Sequence, residues 1–403
     1  MSEAGRTNRP LAGVRVLDLS RVLAGPYVGR MLADLGADVV KVEPPEGDVT
    51  RNWGKQIAGL SGYYTQQNVG KRNICIDLRA AGGSELVLKL AEHADVLVEN
   101  FRPGVMDKLG LSYGVLSACN PKLVMLSISG FGQEGPESKR PAYAGVIHAE
   151  SGVVQRAAAV DGVRAQDPRI SIADTNAALH GLVGLLSALM MRQRTGVGQH
   201  VDISMLETMV ATDDYLHLAL DGLDARDGVI VNRIWDVVGG QVLIAGDFRW
   251  VWRRLADTFE LKDPAAGDAP IPVKARLRQE AAAAFLASFT TREELLAALA
   301  RADLPYGWVN DSREALLSPT LAARGAIARV DDRAGGLRSV IRSPYHFSTA
   351  ESGVAGPAPY RGEHNHVVLD EWLQLSRDQI AQLEQSAVVL AEAPPAKKGV
   401  VRD

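Results

Sequence analysis

The 403-residue sequence predicts an α/β protein built on a doubly wound, parallel sheet. Short apolar runs rich in Val, Ile and Leu recur at 14–19, 38–43, 73–78, 94–100 and 123–129. Helical patterns lie between them at 27–35, 83–93 and near Leu116. The first strand, helix and second strand fill about 30 residues, the length of a parallel crossover. Alternation of this kind is what helices on both faces of one parallel sheet require, a Rossmann-like arrangement.

Each strand is closed by turn chemistry. Gly25-Pro26 ends the first, Pro44-Pro45 the second, and Gly130 follows the fifth. A long irregular stretch separates the second strand from the third at Arg72. Ligands of doubly wound sheets bind beyond the carboxyl ends of the strands. Those ends fall at 20–26, 43–50, 100–104 and 130–135.

The most apolar segment runs from Ala177 to Met191, interrupted by His180 and two glycines. Apolar residues on every face predict a buried helix, and the run is too short to span a bilayer. Arg192, Arg194 and Gly196 give it a helix C-terminus, and Asp174 stands where an N-cap is expected. Asp174 admits two readings. It is a cap, or it is a carboxylate kept ionised by the helix dipole and able to attack an activated acyl group.

Beyond it, 199–205 reads as a strand and 206–220 as a helix, followed by a polar connection at 221–227. A strand at 240–246, helices at 250–259, 273–289 and 291–301, and a strand-like segment at 304–309 read as a smaller α+β domain. Short strands follow at 327–347 and a helical region at 369–390. The division is therefore a large domain over 1–225, a small domain over 226–325, and a C-terminal segment over 326–403 that ends in a disordered tail at 393–398.

Composition bounds the partners. Hydrophobic content is 46%, charged content 23% and net charge −4, which gives no reason to expect nucleic acid or a membrane surface. Cys75 and Cys119 make no disulfide framework and point to a reducing compartment, the cytoplasm. Met1 to Pro10 has no apolar core of a secretory signal. The cysteines and histidines have no metal-ligand spacing, and no metal is expected. Gly130 to Gly135 fits G-x-G-x-x-G, but Pro136 follows where a helix would have to receive a pyrophosphate. It reads as a turn or as a glycine loop closing over another ligand. Lys71, Arg72, Arg102, Lys139 and Arg140 stand at loop positions, singly as solvated charges or together as partners of a phosphate-bearing ligand.

From Pro10 to about Val389 the chain resembles the class III CoA-transferases. The likeness rests on motifs in order: Leu11 to Asp18, Val22 to Pro26, Leu35 to Glu43, Asn68 to Arg72, Val98 to Gly104, Ser129 to Pro136, the Asp174 segment, Thr195 to Gln199, Leu304 to Gly307 and Arg361 to His364. The resemblance implies that Asp174 is the catalytic nucleophile, passing through an aspartyl mixed anhydride and an aspartyl-CoA thioester. It implies coenzyme A or acyl-CoA as substrate, with no cofactor bound permanently. CoA would lie along Val22, Leu23 and Ala24, with Lys71, Arg72, Asn100, Phe101, Arg102 and Met106 nearby, Lys139 and Arg140 as further cations, and Tyr143 close to the thioester. It implies an interlocked homodimer. Two alternatives stay open: an acyl-CoA racemase or isomerase on the same fold, and a non-catalytic subunit of a hetero-oligomeric transferase. Tyr143 stands where racemase members of the family carry a catalytic His, and Ala144 where many members carry Asp or Glu. The segment 229–246 is shorter than the glycine-rich flap of oxalate-using members, so oxalate is not the expected acceptor.

Overall fold

A computed structural model describes residues 8–224 and 232–392. The expected tail at 393–398 and part of the shortened 229–246 segment lie outside the described residues. Two compact units emerge, Leu218–Ala322 and the remainder of the chain.

In the larger unit six parallel strands form the sheet: β1 (Arg15–Asp18), β2 (Asp38–Glu43), β3 (Arg72–Cys75), β4 (Val96–Glu99), β5 (Val124–Ser129) and β6 (His200–Ser204). Their order is β3-β2-β1-β4-β5-β6, so the strand order reverses between β1 and β4. That reversal opens a crevice at their carboxyl ends.

Period-2 alternation feeds two apolar layers. Val16, Val39, Val98, Leu126 and Ile128 face one side, where α1 (Ala24–Asp34) and the long helix pack. Leu17, Val40, Leu97 and Met125 face the other, against α3 (Gly83–Glu92) and α4 (Tyr113–Cys119). The C-terminal segment returns to this second layer. A hairpin of β10 (Ile327–Asp331) and β11 (Leu337–Ile341) precedes two helices, α12 (Asn365–Leu373) and α13 (Arg377–Gln385), where one helical region is expected. Trp372 and Ile380 are buried there. The chain also covers the β3 edge: Cys75 N–H donates to Asn365 Oδ1 and Leu390 N–H to the Cys75 carbonyl. An otherwise open sheet edge is thereby paired.

Three helices arise where no periodic pattern marks them: α2 (Gly62–Asn68), α5 (Ala144–Glu150) and α6 (Val153–Asp161). The central helix α7 runs Ile172–Thr195. Its N-cap is Ser171, so Asp174 is the third helical residue rather than the cap. Nor is α7 buried all round, for Val183 is 65% and Met190 68% exposed. By length and composition alone it would cross a membrane, yet its inner face sits on the sheet, with Gly181 against Leu126 and Ile128. The expected helix at 206–220 breaks after α8 (Met205–Thr212).

The smaller unit is α+β. An antiparallel sheet orders β7 (Arg233–Val237), β8 (Gly240–Ile244) and β9 (Tyr306–Trp308) as β9-β8-β7. Helices α9 (Phe248–Phe259), α10 (Ile271–Ala287) and α11 (Arg292–Arg301) cover it with Trp252, Leu255, Leu286 and Leu299.

Candidate active site

Helices α1, α5 and α7 begin without a side-chain cap of their own. Their unpaired first-turn N–H groups need acceptors. The Asp174 carboxylate lies close enough to the backbone N–H groups of Ala24, Ala144 and Asp174 itself for all three to favour its ionised form. Each helix N-terminus also favours negative charge. Burial nevertheless prevails. It pushes the Asp174 carboxyl up to about 6, against His148 and these three N–H donors. The expected dipole-driven ionisation is thus outweighed, although the group remains mostly ionised at pH 7. The Tyr63 phenol of α2 feels the same charge, and burial together with Asp174 raises it to about 12.

At the carboxyl ends of β1 to β4 lies a cleft of about 550 Å³. Val22, Phe101 and Tyr143 line it, as do Arg21 and Arg79. Val22 leads to Ala24, and Tyr143 precedes Ala144, so the cleft's wall continues into the groups that hold Asp174. At the reversal point Asn100 clasps the loop after β1, accepting from Arg21 N–H at 2.8 Å and donating to the Arg21 carbonyl at 2.8 Å. Val22 adopts φ +70°, a region that a β-branched residue rarely enters.

Beneath this loop lies a buried charged layer. Lys41 pairs with Asp48 at 3.2 Å, Arg51 with Glu43 at 2.8 Å, and Lys71 with Asp18 at 2.8 Å. Glu43 also accepts from Tyr64 Oη and Asn73 Nδ2.

The candidates chosen from sequence separate into groups. Val22, Phe101 and Tyr143 meet at the cleft, with Leu23 and Ala24 continuing from Val22 into α1 and Asn100 shaping the loop. Arg102 and Lys139 are exposed loop residues. Arg140 is tied to Glu137 and Glu150. Met106 is buried in the core below β4. Lys71 is sealed under α1, where burial lowers its ammonium to about 8 and its Nζ is taken by Asp18, Asn68 and the Pro26 carbonyl. Arg72 turns away to Asp38 and Glu371 and lines a separate cavity of about 600 Å³. Neither Lys71 nor Arg72 therefore presents a cation to the cleft. Sequence reasoning missed Arg21 and Arg79, although each stands just past the carboxyl end of a strand. It also missed Tyr63 and His148, which lie in or beside helices that no pattern announced. The glycine loop is anchored by Gln133 N–H to Asp202 at 2.9 Å, and no helix opens after it.

A doubly wound sheet with a half-buried carboxylate near three helix N-termini, and a cleft at the strand-order reversal, is the arrangement of a ligand-binding enzyme fold. Residues 11–365 match the family model described as CoA-transferase family III. The succinate-glutarate CoA-transferase of Agrobacterium fabrum is 32% identical over 94% of this chain and 99% of its own length. The succinyl-CoA--D-citramalate CoA-transferase of Chloroflexus aurantiacus is 33% identical over 95% and 99%. A CAIB/BAIF family protein of Brucella suis superposes with a TM-score of 0.78 at 34% identity, covering 91% of this chain and 100% of that one. The chain belongs to CoA-transferase family III, and it is an enzyme of that class.

Proposed function

We propose that this enzyme moves CoA from an acyl-CoA donor such as succinyl-CoA to a small carboxylic acid, with Asp174 as nucleophile. The observation that carries the reading is the half-buried Asp174 carboxylate near the N–H groups of Ala24 and Ala144, which follow the cleft-lining Val22 and Tyr143 closely in the chain. A carboxylate oxygen attacks the thioester carbonyl, and the Ala24 and Ala144 N–H groups beside the aspartyl oxygens are placed to stabilise the oxyanion that forms when the aspartyl carbonyl is attacked in turn. Collapse expels CoA thiolate and leaves an aspartyl mixed anhydride. The thiolate attacks the aspartyl carbonyl, releasing the donor acid and forming an aspartyl-CoA thioester. The acceptor carboxylate attacks that thioester, and thiolate returns to the acceptor acyl carbon, restoring Asp174. No net proton is exchanged. The glycine loop Gly130 to Gly135 would exclude water that hydrolyses the anhydride.

The racemase reading is less well supported. It needs a base at the substrate α-carbon, whereas the buried His148 beside Asp174 has both ring nitrogens occupied. A homodimer is supported by the exposed Leu179, Val183 and Met190 along one side of α7. Free thiols at Cys75 and Cys119 suit the cytoplasm.

The test is mass spectrometry after incubation with succinyl-CoA and hydroxylamine. A hydroxamate on the Asp174 peptide, absent from Asp174→Ala, is expected. An unmodified Asp174 peptide with acyl-CoA still bound would overturn the covalent route.

A further inference from the structure

The first i→i−4 bond of α7 runs from Thr175 N–H to the Ser171 carbonyl at 3.1 Å, so the N–H groups before it have no helical carbonyl to reach. Among them, Ile172 donates to the Ile170 carbonyl at 2.8 Å. Ala173 N–H donates to Nε2 of His148 at 3.2 Å. Ser171 gives no side-chain bond, so an imidazole from α5 stands in for the missing cap.

To accept, Nε2 must carry no proton, which places the ring proton on Nδ1. Nδ1 lies 2.7 Å from Asp167 Oδ1, and an ionised carboxylate only accepts. Asp167 therefore selects the tautomer that leaves Nε2 bare, as second partners of functional imidazoles do. His148 is 1% exposed and has no nitrogen left for a substrate. It stands one helical turn after Ala144. A single short helix thus brings an N–H close to the Asp174 carboxylate and sends an acceptor to the residue before Asp174.

We propose that His148 and Asp167 form a positioning pair. Asp167 holds His148 as the Nδ1–H tautomer, and His148 anchors the Ala173 amide so that the first turn of α7 presents the Asp174 carboxylate at a fixed place before Ala24 and Ala144. The functional part of this role rests on Asp174 being the nucleophile. Neither side chain touches the reacting atoms.

The full-length enzyme is compared with His148→Leu, which fills the space without an acceptor, and His148→Gln, whose amide oxygen accepts. Two readouts are taken: hydrogen-deuterium exchange of the peptide spanning 170–176, and the single-turnover rate of hydroxylamine trapping at Asp174 from succinyl-CoA. In His148→Leu the peptide exchanges faster, trapping slows by about tenfold, and the KM for acyl-CoA stays within about twofold. His148→Gln recovers most of both losses. The wild-type imidazole also shows the ¹⁵N signature of a bare Nε2. Wild-type exchange and trapping in His148→Leu would overturn the proposal. So would a His148→Gln as impaired as His148→Leu, which would assign the effect to ring packing. If the wild type formed no adduct the nucleophile reading would fail, and the exchange comparison would still decide the anchor.

Discussion

Val22 donates its backbone N–H to Asp48 Oδ2 at 3.2 Å while holding φ at +70°. The carboxylate that fixes this strained loop is itself fixed, by Thr50 N–H at 3.0 Å and by Lys41 at 3.2 Å. Burial raises the Asp48 carboxyl, but Lys41 and its hydrogen bonds outweigh burial and hold it below the usual range. Asp48→Ala takes the paired carboxylate from the buried Lys41 ammonium, leaving it the Ser20 carbonyl at 2.7 Å and the charges of Asp18 and Glu43, and costs about 3 kcal/mol, read from chemical denaturation. Val22→Gly relieves backbone strain of about 1 kcal/mol or more, leaving the fold at least as stable, while a looser loop raises the acyl-CoA KM. A fall in stability in Val22→Gly would show that the loop is not strained.

The raised Asp174 carboxyl sets a pH limit on the reaction. With ionised Asp174 as the proposed nucleophile, kcat/KM for acyl-CoA is expected to drop about tenfold per unit as pH falls below about 6. The same shift has a stability consequence of opposite sense. A carboxyl whose folded value is above its ordinary 3.8 is penalised for ionising on folding, so the penalty is absent near pH 3.8, grows as pH rises through about 6, and is complete by pH 7. Asp174→Asn removes it. That variant is inactive yet more stable than wild type by up to about 3 kcal/mol at pH 7.5, and no more stable at pH 4. Thermal unfolding at the two pH values checks the sign.

Arg21 and Arg79 are exposed cations that border the cleft, whose third, Lys41, is buried, and Arg79 shares its charge with Glu46 at 2.7 Å and Asp77 at 3.0 Å. Arg21→Ala is expected to raise the acyl-CoA KM by about tenfold and Arg79→Ala by less, with kcat and melting temperature unchanged. The difference between variants and wild type should shrink as salt is raised in steady-state assays. A salt-independent KM would remove both residues from the phosphate contacts.

On α7, Val183 is 65% exposed and Leu179 43%. Val183→Glu should convert a dimer to a monomer in light scattering without loss of helical signal, since the side chain is largely exposed within its own unit. A wild-type monomer would remove the dimer from the proposal.

Much of the fold was legible because local rules act on neighbouring residues. Apolar runs of strand length set β1, β2, β4 and β5, and Pro136 after Gly135 correctly ruled out a helix there. The helices at 62–68 and 144–150 were not legible, because each is only seven residues long, and the second begins with no side-chain cap at all. Lys71 and Arg72 show the same limit at one bond's distance. Adjacent in sequence and both basic, they part to Asp18 under α1 and to Asp38 and Glu371 outside.

By itself the sequence determined a doubly wound α/β unit interrupted by an α+β unit, and it marked Asp174 as the residue to watch. Periodicity and the order of motifs are properties of the chain, and they survive without coordinates. Only the tertiary structure decided that the starts of two other helices come close to Asp174, that burial outweighs them in its protonation, and that Arg21 and Arg79 rather than Lys71 and Arg72 face the cleft. Those outcomes depend on which groups end within about 3 Å of one another and how much water is removed around them, and neither distance nor desolvation is written in sequence spacing.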